Sequence, residues 1–154
     1  MTLAISLSEQ RTRAIAEITL RTGITDQLID RVVCGFYGRI QADPLLAPIF
    51  EKRITDWEPH LRKMVEFWSS VTIMSRRYHG NPMAMHRNLP VDANHFSRWL
   101  ALFRETVHDL CPPEAQAYFI DRAERIAQSL SKGIQDHQRG ADTAPVIRRN
   151  GALL

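Results

Sequence analysis

Apolar residues recur along this chain at steps of three and four, whereas the strict alternation typical of β-strands is almost absent. The clearest example begins at Asp26 and runs to about Gln41, where Asp43 and Pro44 end it. Its apolar positions fall on one side of a helix: Leu28, Val32, Val33, Phe36, Tyr37 and Ile40. This spacing predicts an amphipathic helix, and its recurrence predicts an all-α fold.

Three further long segments share this spacing. One opens with Thr55 or Asp56 as its N-cap and runs to about Ser75, one follows Asp92 to Leu110, and one begins at Pro113. Their inward positions include Trp57, Leu61, Met64, Trp68 and Val71; Phe96, Trp99, Leu100, Phe103 and Val107; and Phe119, Ala123, Ile126, Leu130 and Ile134. A modest helix over 8–21 precedes them. The stretch "PLLAPIF" (44–50) has two prolines in seven residues and predicts an irregular apolar corner.

The stretch "NPMAMHRNLP" (81–90) predicts a helix of barely two turns. Asn81 and Pro82 are typical of an N-cap and a first helical residue, and Leu89-Pro90 predicts the stop. So short a helix is not stable from its own hydrogen bonds. His86 lies in its last turn, among methionines. Something else must therefore hold the segment, and the histidine itself is a candidate.

Composition excludes several classes of protein. The 154 residues are 44% apolar and 24% charged, which suits one globular domain. No apolar run approaches the roughly 18 residues of a membrane span, and the first ten residues lack the features of a secretion signal. The net charge is +3, but the arginines are scattered, so nucleic-acid binding is not expected. Cys34 and Cys111 are the only cysteines; Cys34 is expected to be a buried free thiol, in a reducing cytoplasm.

Four polar-tipped side chains lie on apolar helix faces. His60 and His86 are imidazoles in such positions, and each alone is more often a satisfied core histidine. Tyr37 and Trp99 need hydrogen-bond partners, which backbone carbonyls can supply. The chain has no HxxxH or CxxC pair, so a closed zinc site is not expected. Taken together, the four groups describe a small-molecule site, and a flat apolar macrocycle carrying a metal would use them all.

Four blocks of sequence resemble the bacterial truncated haemoglobins, and among them the third group. In order they are "FYGRIQADPLLAPIF", "DWEPHLRKMVEFWSSV", "RYHGNPMAMHRNLP" and "HFSRWLALFRETV". The similarity runs from about Leu28 to Lys132, and the chain has no adjacent glycines, as expected of a group that lacks the paired-glycine motifs. The resemblance implies a truncated globin fold, a two-over-two helical sandwich around haem b. It divides the chain into a helical N-terminal extension (1–24), a globin-like domain (25–138) and a mobile tail (139–154).

The resemblance also implies roles for individual residues. His86 matches the proximal ligand to the haem iron, with its second ring nitrogen expected to donate to a backbone carbonyl. Tyr37, His60 and Trp99 match the polar trio on the distal, ligand-binding side. The positions that match the apolar walls are Phe36, Phe50, Met64, Trp68 and Leu89. The candidates for contacts with the haem propionates are Lys63, Arg76, Arg77 and Arg87 as cations and Tyr78 as a hydrogen-bond donor.

The function implied is binding of oxygen or another diatomic ligand (nitric oxide, carbon monoxide, cyanide) at a five-coordinate iron. Tight binding suits redox chemistry, such as nitric oxide dioxygenation or peroxide reduction, with an unknown reductase as electron donor. A monomer or weak dimer is expected. One alternative is a haem-free all-α module that binds an apolar ligand or partner, although His86 is present. Another is a purely structural all-α domain.

Overall fold

The structure, a computed structural model, describes residues 4–143, with side chains through residue 140. Over that range the chain forms helices and no strand. The helices are α1 (Leu7–Thr22), α2 (Asp26–Ala42), α3 (Ala47–Arg53), α4 (Trp57–Ile73), α5 (Pro82–His86), α6 (Ala93–Leu110) and α7 (Pro113–Thr143). The prediction of an all-α fold is confirmed. No helix in the described part of the chain is both long and apolar enough to cross a membrane.

Two helix pairs build the core. Helix α2 packs against α4, helix α6 packs against α7, and the pairs meet through contacts of α2 with α6 and of α4 with α7. The stripe predicted on α2 is buried along its whole length, and Phe36, Phe103 and Phe119 are fully enclosed. The core is therefore aromatic at its centre, where side chains from α2, α6 and α7 meet.

The corner after α2 is tied down by Asp43. Its carboxylate accepts hydrogen bonds from the N–H groups of Leu45 and Leu46, at 3.2 and 3.1 Å, and from Nε of Arg98 on α6, at 2.7 Å. Burial disfavours the charged carboxylate, but the bonds from Arg98 and the two backbone groups outweigh it and lower the pKa of Asp43. The corner that follows α2 is thus anchored to α6.

The predicted N-terminal helix is present and packs against α4 and α7. A capping box at Ser6 and Glu9 begins it, and Gly23 ends it with φ of +76°. Ile18 and Ile24 are buried in the same core as the helices that follow. The domain boundary at residue 24 stays a prediction, although apolar residues of α1 belong to the same core as residues after that boundary.

Three details differ from the sequence-based expectations. The segment 47–50 is not irregular: α3 starts there, because Pro48 sits in the first turn, where no backbone N–H is needed. Cys34 is exposed, because it faces a groove between α2 and α4 and not the core. Helix α7 continues to Thr143, past the predicted start of the tail at 139. The rest of that predicted tail, 144–154, lies outside the described residues.

Candidate functional site

The short helix α5 presents an oriented imidazole. Asn81 caps it by accepting a hydrogen bond from Ala84 N–H at 3.1 Å, and Pro82 occupies its first position, as predicted. Nδ1 of His86 lies 2.6 Å from the carbonyl oxygen of Pro82. Because a carbonyl only accepts, Nδ1 carries the proton and donates, which leaves Nε2 with a free lone pair. The predicted bond from His86 to a backbone carbonyl is confirmed, and it prepares the opposite nitrogen to bind a metal.

A second imidazole belongs to an aromatic cluster at the start of α4. The His60 ring meets the Tyr37 ring edge-on, with centroids 5.2 Å apart, and the Trp57 ring at 5.8 Å. Nε2 of His60 is the single buried side-chain nitrogen or oxygen without a hydrogen-bond partner among residues 4–140. A buried polar atom without a partner is destabilising, so Nε2 of His60 is available to a ligand or a water molecule.

Electrostatics connects the two histidines. Burial lowers the pKa of His60, and its proximity to Lys63 and to the ring of His86 lowers it further. His86 is thus close enough to His60 that a proton on one ring would disfavour a proton on the other. Burial also raises the pKa of Tyr37, so its hydroxyl keeps its proton and is available as a donor. The site therefore holds neutral hydrogen-bonding groups in an apolar setting.

Phe36 connects Trp99, the third residue of the predicted polar trio, to this aromatic cluster. Its ring lies 5.1 Å from that of Tyr37 and 5.3 Å from that of Trp99, both at steep angles. Trp99, on α6, is only partly buried and stacks in parallel on Phe103, with centroids 5.8 Å apart. Tyr37, His60 and Trp99, which are far apart in sequence, are thus brought into one group of contacting rings.

The remaining predicted wall residues lie in different surroundings. Phe50, on α3, reaches the cluster, 6.0 Å from Tyr37, and Met64 is half-buried one turn after His60. Trp68 lies deeper, 2% exposed and stacked on Phe103 at 4.7 Å. Leu89 is half-buried, and its N–H donates to the carbonyl of His86 at 3.0 Å.

The residues predicted to contact the haem propionates differ in the partners they already have. Lys63, Arg76, Arg77 and Arg87 are all exposed, but Arg77 forms a salt bridge with Asp26 at the start of α2. The ring of Tyr78 packs edge-on against Phe67 at 5.2 Å. Arg77 already has an anionic partner and is the weakest cation of the predicted set.

Sequence reasoning missed two features of this region. Trp57 contacts both His60 and Tyr37, and its position one turn before His60 on the same helical stripe could have indicated this. Gly133 of α7 lies against Met83 of α5, a contact that no local pattern signals. A groove of about 390 Å³ between α2 and α4, lined by Asp30, Cys34 and Leu61 among others, contains none of the predicted site residues.

Comparison with known proteins assigns the chain to a family. The model of the bacterial-like globin family matches residues 21–132. The chain is 29% identical over 109 residues to the group 3 truncated haemoglobin ctb of Campylobacter jejuni, which covers 68% of this chain and 86% of that protein. It is 23% identical to the group 2 truncated haemoglobin YjbI of Bacillus subtilis, over 77% of this chain and 92% of that one.

A solved structure agrees with this assignment. The crystal structure of the group III truncated haemoglobin from Campylobacter jejuni superposes with a TM-score of 0.68 at 28% identity, covering 72% of this chain and 91% of that one. The predicted resemblance to the truncated haemoglobins and the predicted truncated globin fold are both confirmed. This chain belongs to the bacterial-like globin family.

Proposed function

We propose that this protein binds haem b through His86 and takes up oxygen or another diatomic ligand beside Tyr37, His60 and Trp99. The observation that carries the proposal is the state of His86, whose Nδ1 is committed to Pro82 O and whose Nε2 is left as a metal ligand. In globins the haem iron is bound by the imidazole of a proximal histidine, and a hydrogen bond to a backbone carbonyl orients such an imidazole. The family assignment supports the same reading.

The residues present fit a flat aromatic cofactor. His86 would supply one metal ligand, while half-buried apolar groups offer contacts for a macrocycle: Met64 on α4, Trp99 on α6 and Leu89 in the loop after α5. The exposed cations Lys63, Arg76 and Arg87 are suited to carboxylates at its edge, and Tyr78 adds a hydroxyl. Bound haem would supply an iron atom that binds small diatomic molecules.

On the ligand side, this chain contributes hydrogen-bond donors. The protonated hydroxyl of Tyr37 and the indole N–H of Trp99 are placed by Phe36, which packs between their rings. Each donor would contribute about 1 kcal/mol to holding a polar ligand atom, so two would slow its release by one to two orders of magnitude. The buried Nε2 of His60 is a third group that such a ligand, or water, would satisfy.

The finer assignments belong to the same proposal. Membership of the third group is supported by the higher identity to the Campylobacter relative, 29% against 23% for the Bacillus one. A cytoplasmic location, a reductase as electron donor, and a monomeric or weakly dimeric state rest on the sequence alone. Nitric oxide dioxygenation or peroxide reduction stays a prediction from the resemblance.

The test is an absorption spectrum of the purified protein with haem supplied, reduced and then exposed to carbon monoxide. We expect a sharp Soret band that shifts with carbon monoxide in the wild type. In His86→Ala it should weaken and change ligation, while His108→Ala, which removes an exposed histidine, should match the wild type. Absence of the band, or a band indifferent to His86, would leave the haem-free alternative, in which the same region binds an apolar ligand.

A further inference from the structure

Helix α5 has few means of holding its position. It spans five residues, none of them buried, and Met85 is 70% exposed. Within the described chain α7 is the one helix that α5 packs against. A helix this short is not stable by itself, so its contact with α7 must fix where it lies.

That contact includes a glycine. Gly133 lies in the interior of α7, where glycine is less stable than alanine by about 1 kcal/mol. Its φ is not in the left-handed region, so no backbone conformation requires glycine there. A Cβ on Gly133 would lie less than 3.0 Å from both Sδ and Cε of Met83, closer than real Cβ atoms approach. The missing side chain therefore makes a notch in α7 that receives the Met83 thioether.

Met83 stands three residues before His86, one turn away along the same short helix. The backbone of that turn is shared: Met83 O accepts the N–H of Arg87 at 3.0 Å, and Pro82 O, the neighbouring carbonyl, accepts from Nδ1 of His86. A shift of the backbone at Met83 would therefore also move the neighbouring carbonyl that orients the imidazole.

We propose that the notch at Gly133 positions His86, by seating Met83 and so fixing α5 against α7. Gly133 acts through Met83 and is a positioning residue. The proposal extends the proposed haem-binding function. Of the two measurements that test it, only the second depends on haem binding. Because the thioether sits more than an ångström closer to the notch than ordinary contact with a Cβ would permit, alanine at 133 must push it out.

The first readout needs no haem. Amide hydrogen exchange is measured at Met85, Arg87 and Leu89, whose N–H groups bond to carbonyls of this segment at 3.0–3.2 Å. We expect Gly133→Ala and Met83→Ala each to speed exchange there about tenfold, since either change unseats the helix. The double variant should exchange no faster than Met83→Ala, because removal of the thioether leaves room for the new methyl group. Gly38→Ala is the matched control, since a Cβ there meets nothing within 4 Å in the middle of α2.

The second readout is haem retention. The rate of haem transfer to an acceptor globin should rise about tenfold in Gly133→Ala and in Met83→Ala, as for loss of a group that orients a metal ligand, and should not change in Gly38→Ala. A shifted Soret band in the same variants would report altered ligation, which a general loss of stability would not produce.

The outcomes separate the two proposals. If Gly133→Ala and Met83→Ala both match Gly38→Ala in exchange at α5, Met83 swings aside freely and the positioning role is wrong. If wild type does not bind haem, the proposed function fails, but the exchange data still decide whether the notch seats α5. If Gly133→Ala does not fold, Met83→Ala decides alone: faster exchange at α5 supports the role and unchanged exchange overturns it.

Discussion

The two imidazoles of this site are held in opposite ways. His60 belongs to a network of contacting rings from α2, α3, α4 and α6, in which Phe36 is fully enclosed. His86 sits on a five-residue helix with no buried residue, held by one backbone hydrogen bond and one neighbouring helix. A side of the site that selects a ligand needs several groups at fixed separations, whereas a side that supplies one metal ligand needs a single oriented atom. We therefore expect the side around His60, the dense side, to contribute most to the stability of the fold. The side around His86, the sparse side, should contribute little to stability and should tolerate small shifts in position.

Truncation of Phe36 should have the largest effect on stability. Phe36→Ala removes the ring that touches Tyr37, Trp99 and Phe103, and we expect it to lower the free energy of unfolding by about 4 kcal/mol. Met85→Ala, on the sparse side, should change it by less than about 0.5 kcal/mol. Urea unfolding followed by circular dichroism measures both. Similar losses in the two variants would refute the division between a stabilising side and an adjustable one.

The corner at Asp43 should rank next. Asp43→Ala removes an acceptor for two backbone N–H groups and for Arg98, so we expect a loss of about 2 kcal/mol at neutral pH. Because the pKa of Asp43 is lowered on folding, its contribution is fully present above the ordinary value of 3.8 and is lost as the pH falls through the folded-state value. The free energy of unfolding of Asp43→Ala should therefore not show this decrease at acid pH.

Asp136→Ala serves as the control for that corner. Asp136 forms an exposed pair with Lys132 on α7, at 3.4 Å, of the kind that contributes little to stability. Equal stability losses from Asp43→Ala and Asp136→Ala would show that the corner does not anchor the dense side.

Removal of the Tyr37 hydroxyl tests the proposed ligand-binding role of the side around His60. Tyr37→Phe keeps the ring contacts with Phe36 and His60 but deletes one donor, worth about 1 kcal/mol. We expect oxygen release, measured by stopped flow after haem is supplied, to become about fivefold faster. Tyr118→Phe removes a hydroxyl elsewhere, from a ring that lies under the guanidinium of Arg122, and should leave the rate unchanged. An unchanged rate in Tyr37→Phe would remove Tyr37 from the ligand-binding role.

The smallest effect should come from the titration of His60. Burial lowers its pKa below the ordinary 6.5, so unfolded His60 binds a proton at a higher pH than folded His60 does. Stability is therefore highest above about pH 6.5 and declines as the pH falls through and below that value. His60→Leu should flatten this part of the profile of unfolding free energy against pH. A profile as steep as that of wild type would mean that another group titrates there.

The dense side could be predicted from the sequence and the sparse side only in part. Phe36, Tyr37 and the rest of the α2 stripe are inward because helical spacing places them there, and all are buried. The bond from His86 to a backbone carbonyl was also predictable, since a helical carbonyl lies one turn back. The seating of Met83 by Gly133 was not, because fifty residues separate them and periodicity carries no information about a tertiary contact. For the same reason no spacing rule reveals that Arg77 is paired with Asp26.

Helix α1 changes what counts as the smallest folding unit of this globin. The family match begins at residue 21, after Ile18, yet Ile18 is buried with the residues of the matched region, and α1 packs on both α4 and α7. A chain trimmed to the matched residues would uncover apolar surface on two helices at once. We therefore expect the minimal autonomous domain of this protein to extend upstream of the part it shares with its relatives, so that an added helix has become part of the common core.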